Sequence, residues 1–200
     1  RTFGEEQEAL YVLLKPREDA LDAELTAVLG RIEKALFARL TVGELEALAA
    51  RLRSLHAMVR QPVDQSLRGG TQTDGYLLAR VEPEFRRLRT ALIEAVGAHI
   101  KGLPRRDPFH PTLKHRRDRP IRFAGAWSVR LAQGGFHVAH VHPLGWFSSA
   151  LYLGLPDPDP ADPEAGRLVL GEPGSELGLP LTPLATIEPG IGKLVLFPSF

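Results

Sequence analysis

The sequence predicts an α+β protein, with amphipathic helices in front and short antiparallel strands behind, arranged as a sandwich or jelly roll. Three observations predict it. Apolar residues recur at helical spacing up to about residue 60 and again after Pro83. Past Pro120 the apolar runs become short, and many are bounded by Gly or Pro. Those runs hold the β-branched and aromatic residues that suit a pleated surface.

From Asp19 to Leu40, the residues Leu21, Leu25, Val28, Leu29, Ile32 and Leu36 fall on one helical stripe. Thr41-Val-Gly-Glu44 fits a capping box, in which the Thr hydroxyl and the Glu carboxylate satisfy the first free N–H groups. The helix it opens carries Leu45, Leu48, Leu52, Leu55 and Val59. Residues 1–60 thus read as a helical region, and its first two helices could form an αα-hairpin from a helical repeat array, although no repeat period is visible. Residues 61–200 read as a second domain, a β domain with a leading loop and helix. Gln61 to Gly75, "QPVDQSLRGGTQTDG", has the polar, glycine-containing composition of a connecting loop. Its length is that of loops with a function. A third amphipathic helix follows Pro83, with Phe85, Leu88, Leu92 and Val96 inward, and is ended by Gly102 and Pro104.

A Pro- and Arg-rich stretch, Pro104 to Pro120, separates this helix from the strands. The strand candidates are "FAGAWSVRL", "WFSSALYLGL", "GRLVLG", "LATIEP" and "GKLVLF". The insert "PDPDPADPEAG" cannot hold a strand and reads as an exposed connection.

Composition removes several function classes. A net charge of +1 argues against a general nucleic-acid binder. The absence of cysteine removes disulfides, thiolate zinc sites and cysteine nucleophiles, and suits a cytoplasmic protein. No apolar run is long enough to span a bilayer, and "RTFGEEQEAL" has no signal-peptide character.

Three of the seven histidines, His137, His140 and His142, fall within six residues. On a strand, the spacing of His140 and His142 sends both imidazoles to one face, a natural start for a first-row metal site. His137 is an odd number of residues away and is expected on the opposite face. After the Pro143-Leu144-Gly145 turn, a strand places Ser148, Ala150 and Tyr152 on a common face. Trp127 reads as core. His56 and His99 read as surface or interhelical residues.

Taken in order, "WSVRL…GGFHVAHVHPLGWFSSALYLGLP", "GRLVLGEP" and "IEPGIGKLVLFPS" resemble the iron(II)- and 2-oxoglutarate-dependent oxygenases, in particular their bacterial and phage branch. "QPVDQSLRGGTQT" resembles a segment found ahead of that core in members fused to tetratricopeptide repeats. The resemblance implies an antiparallel double-stranded β-helix (jelly roll) that holds Fe(II) and the co-substrate 2-oxoglutarate. The implied reaction consumes dioxygen, hydroxylates a substrate and releases succinate and carbon dioxide. His140 matches the first metal histidine. His142 stands where better-known branches have aspartate, so it is either a ligand or a group supporting one. Tyr152 is placed to bind the far carboxylate of the co-substrate, with Ser148 sharing its face. The resemblance also implies a distal metal histidine and a co-substrate arginine beyond "LFPS", so the chain is expected to be cut short there.

The loop with Arg68 is expected to be a lid or a substrate-binding element over the metal mouth, where Arg68, Gln65, Gln72 and Thr73 offer donors for a polar or anionic group. Two other readings stand beside the oxygenase: a cupin-like metal-dependent enzyme, and a non-catalytic helix-plus-barrel interaction module. The substrate, protein or small molecule, is not named by any motif.

Overall fold

A computed structural model describes residues 36, 38–56, 65–157, 162–174, 177–179 and 181–199. The helix expected over residues 19–40 lies outside these residues except at its end. There Leu36 and Leu40 are buried.

Helix α1 spans Val42–His56. The capping box closes as its residues dictate: the Thr41 amide donates to Glu44 Oε2 (2.7 Å) and the Glu44 amide donates to Thr41 Oγ1 (3.2 Å). The Thr41 bond, with Arg87 second, holds the Glu44 carboxyl below the usual carboxylate range. Helix α2 spans Pro83–Gly102, with Pro in its first turn, where the missing N–H costs nothing. Leu45, Leu48 and Leu52 of α1 share one apolar cluster with Phe85, Leu88, Ala91, Leu92 and Ala95 of α2. Phe85 is fully buried. Each such Leu or Phe side chain contributes about 1.5–3 kcal/mol by leaving water. The Arg87 guanidinium ties the helices at one end, bonding Glu44 Oε1 at 2.8 Å and the Arg39 carbonyl.

Among the described residues, six strands form three antiparallel pairs. Strand β1 (Leu67–Gln72) pairs with β2 (Val129–His137). Strand β3 (Phe147–Leu151) pairs with β6 (Leu194–Pro198), and β4 (Leu168–Leu170) with β5 (Ala185–Ile187). The last two pairs are nested, because the chain runs out along β3 and β4 and returns along β5 and β6. Leu194 and Leu196 of β6 enter the helical core, and Phe147 and Leu151 of β3 pack against it. This joins helices and strands through one apolar interior. The α+β class therefore holds. A closed jelly roll is not observed among the described residues, where each strand has one partner.

The segment from residue 65 to residue 75 departs from its expected loop character. Its Gly, Gln and Thr residues favour turns by composition, yet Leu67–Gln72 is a strand. Pairing with β2 overrides local propensity, and Leu67 anchors it by complete burial. Two glycine pairs permit the approach. The register slips between Arg68 and Gly70, which face Phe136 and Leu131, so β2 bulges outward between those partners. A Cβ on Gly70 would lie 2.6 Å from the Arg130 carbonyl oxygen, and one on Gly135 would collide with the Gly69 carbonyl. No helix among the described residues is long and apolar enough to cross a membrane.

Candidate metal centre

The chain leaves regular strand geometry after His137, and the His140-Val-His142 motif lies in the connection between β2 and β3. The strand argument for placing these rings together therefore fails, yet the rings do meet. His140 and His142 have ring centroids 4.9 Å apart, at 83° to one another. His137 joins them, 5.9 Å from His140. Its expected position on the opposite face is thus corrected, because two-residue alternation applies only while the strand stays regular.

Each ring is held differently. His140 Nδ1 lies 2.8 Å from the Val138 carbonyl oxygen. A carbonyl can only accept, so Nδ1 carries a proton, and in the neutral ring Nε2 is then the nitrogen with the lone pair a metal would take. His137 Nδ1 lies 3.0 Å from Ser66 Oγ. His142 is fixed through its backbone, whose amide donates to the Ser199 carbonyl at 2.8 Å. Its ring sits 5.7 Å from that of Trp127. Trp127 is 42% exposed, so it is a neighbour of the site rather than the core residue its type suggests. Burial, and then the neighbouring His140, lower the proton affinity of His142; His137 shifts the same way, with His142 adding to the effect. Both are therefore biased toward the neutral form that a metal needs.

The Phe-Pro-Ser end of β6 sets the turn that follows. Gly145 N donates to His142 O at 2.9 Å, closing a four-residue turn with Pro143 in second position, where its fixed φ suits the bend. Ser199 is buried. Its amide donates to the Trp146 carbonyl at 3.2 Å, and its hydroxyl lies 3.0 Å from Ser148 Oγ. Gly145 has no room for a side chain, since a Cβ would stand 2.6 Å from Ser199 Oγ. Ser148 is thus engaged with the strand that braces the histidine turn. Tyr152 stays beside β6 through backbone bonds to Lys193 and Gly192. Its phenol is half-buried, and burial raises its pKa and keeps it protonated as a donor.

The expected lid residues separate. Arg68 folds onto its own strand, donating to the Gln65 and Leu67 carbonyls. Thr73 is buried, with its hydroxyl accepting from the Ser128 amide at 2.9 Å. Gln72 pairs with Val129 across the sheet. The segment is therefore a strand with a brace rather than a free flap.

Two histidines assigned to surface or interhelical positions have other surroundings. His56, at the end of α1, is 6% exposed. Its Nδ1 lies 2.8 Å from Thr71 Oγ1 and its Nε2 lies 3.0 Å from Ser128 Oγ, so one ring links the helix, β1 and the approach to β2. His99 is buried against the Phe147 ring, edge to face at 5.2 Å. Neither contact is visible in a sequence window. A cavity of about 180 Å³ lies between the helices, lined by residues such as Leu40, Glu84 and Leu88, and includes no candidate site residue.

As a donor set, His140 and His142 fit two positions of a first-row metal such as Fe(II), for which imidazole is a suitable ligand. Among the described residues, no group of three His, Cys, Asp or Glu side chains is arranged to hold a metal ion. A family model described as "Putative 2OG-Fe(II) oxygenase" matches residues 125–200, the stretch from the approach to β2 through β6. Comparison with curated proteins and with solved structures finds no match. The chain from residue 125 onward is thus similar to the 2OG-Fe(II) oxygenases, and its paired histidines lie inside the matched stretch.

Proposed function

We propose that this chain acts as an Fe(II)- and 2-oxoglutarate-dependent oxygenase that hydroxylates its substrate. The observation that carries the reading is the His140–His142 pair, 4.9 Å between ring centroids, with the His140 tautomer set by the Val138 carbonyl. The family match over residues 125–200 supports it. The nested β3–β6 and β4–β5 pairs support it too, since a jelly roll is built from such nesting.

In this reading, His140 holds the metal through Nε2 and His142 is the second nitrogen ligand. Tyr152 donates its phenolic proton to the far carboxylate of 2-oxoglutarate. Ser148 and Ser199 keep the histidine turn in place. Trp127 shields His142 from water. When bound, the metal with 2-oxoglutarate and dioxygen would supply the oxidation of a C–H bond, one oxygen atom entering the new hydroxyl group and the other the succinate that is released with carbon dioxide.

Anaerobic titration of Fe(II) and 2-oxoglutarate tests the reading through the visible charge-transfer band of a chelated iron–2-oxo-acid complex. A band in this chain that is lost in His140→Ala supports it. Metal binding with no response to 2-oxoglutarate would point to a cupin-like site, and folded protein with no metal binding would remove the reading.

A further inference from the structure

Residues 104–122 carry seven cationic side chains against two acids. That local excess of five sits in a chain whose net charge is only +1, so the remainder is acidic overall. Six of the seven cations are arginine, the side chain suited to planar pairing with carboxylates. Internal pairing accounts for little of this charge. Arg116 pairs with Asp118, and Arg117 bonds the backbone carbonyls of Leu103 and Pro104. Arg105, Lys114, Arg119 and Arg122 are exposed, with no ion pair or side-chain hydrogen bond among the described residues.

This segment is fastened to the histidine turn. The Trp146 indole N–H donates to the Thr112 carbonyl at 2.8 Å, and the His115 ring lies 5.0 Å from that of Trp146. Beyond the segment the chain leads within five residues to Trp127, which faces His142. Large apolar side chains lie open on the same connections. Phe109 is 95% exposed within the segment, and Leu144 is 93% exposed in the turn after His142. Single exposed apolar residues are ordinary, but here they accompany unneutralised cations.

We propose that residues 104–122 dock an acidic, leucine-bearing stretch of a polypeptide substrate beside the histidine pair. The proposal rests on the oxygenase reading above and names its substrate class. A free small anion fits less well, because the cations are spread along an extended segment instead of converging on one cavity. A nucleic acid also fits less well. Its continuous phosphates would meet an acidic remainder.

The test is fluorescence anisotropy of a fluorescein-labelled peptide of repeating Glu-Glu-Leu, in low-salt buffer without metal or co-substrate. The pairs Arg105→Glu with Lys114→Glu and Arg119→Glu with Arg122→Glu are each expected to weaken binding roughly tenfold, and added salt to weaken wild-type binding. Circular dichroism checks that these exposed substitutions leave the fold intact. Equal binding of a Gln-Gln-Leu peptide, unchanged binding by the reversed variants, or tighter binding of oligothymidylate would each overturn the proposal. Peptide binding without the charge-transfer band would remove the oxygenase reading while leaving a docking surface. A band without peptide binding would remove this proposal alone.

Discussion

His56→Ala should destabilise the protein far more than its position at the end of a helix suggests. The ring is 6% exposed and bridges Thr71 and Ser128 at 2.8 and 3.0 Å. Each hydrogen bond is worth about 0.5–1.5 kcal/mol net, and the half-buried hydroxyls left behind lose a partner. Removing most of a buried ring adds a cavity cost, so the expected loss is about 2–4 kcal/mol. Urea unfolding at pH 8 reads it through the midpoint at unchanged slope. The pH dependence supplies a second readout. Burial, and then the charge of Arg130, lower the His56 pKa below its ordinary 6.5. The unfolded chain therefore takes up a proton first as pH falls. The stabilisation is complete above pH 6.5 and declines as pH drops from there toward the folded-state pKa. His115, His137 and His142 shift in the same direction, so the wild type keeps a slope of its own. Removing His56 should make that slope shallower. A loss under about 0.5 kcal/mol, the size of an ordinary surface substitution, with an unaltered slope would refute the bridging role.

Gly135→Ala should separate β1 from β2, because the new methyl meets the Gly69 carbonyl; hydrogen exchange should show the Leu67–Gln72 amides losing protection. Leu196→Ala, in the cluster shared by strands and helices, should cost about 2–5 kcal/mol in chemical unfolding. Ser199→Ala keeps the backbone bonds to His142 and Trp146 and loses only the hydroxyl contact with Ser148, so about 1 kcal/mol is expected with metal binding retained. Tyr152→Phe should weaken 2-oxoglutarate binding roughly 10- to 100-fold, as for a hydrogen bond to a charged group, and leave Fe(II) affinity alone. Equal titration midpoints for 2-oxoglutarate would remove Tyr152 from that role.

Features under local chemical control are legible along the chain. The Leu45–Leu48–Leu52 stripe, the Thr41–Glu44 box, Pro83 at the start of α2 and Gly102 at its end all lie within a few residues of their causes. The apolar runs that became β3 to β6 were legible because they combine β-formers with turn residues at both ends. The H-x-H motif was legible as chemistry, although the geometry that joins its rings is a connection and not a strand. The remaining features depend on contacts between residues far apart in the chain. Leu67–Gln72 is a strand because β2 pairs with it, and a register set by residues far along the chain leaves no local signal. His137 reaches His140, Trp127 reaches His142 and His56 reaches Ser128 by the same long-range closure. Periodicity encodes which face of an element is apolar, whereas it does not encode which distant element covers that face.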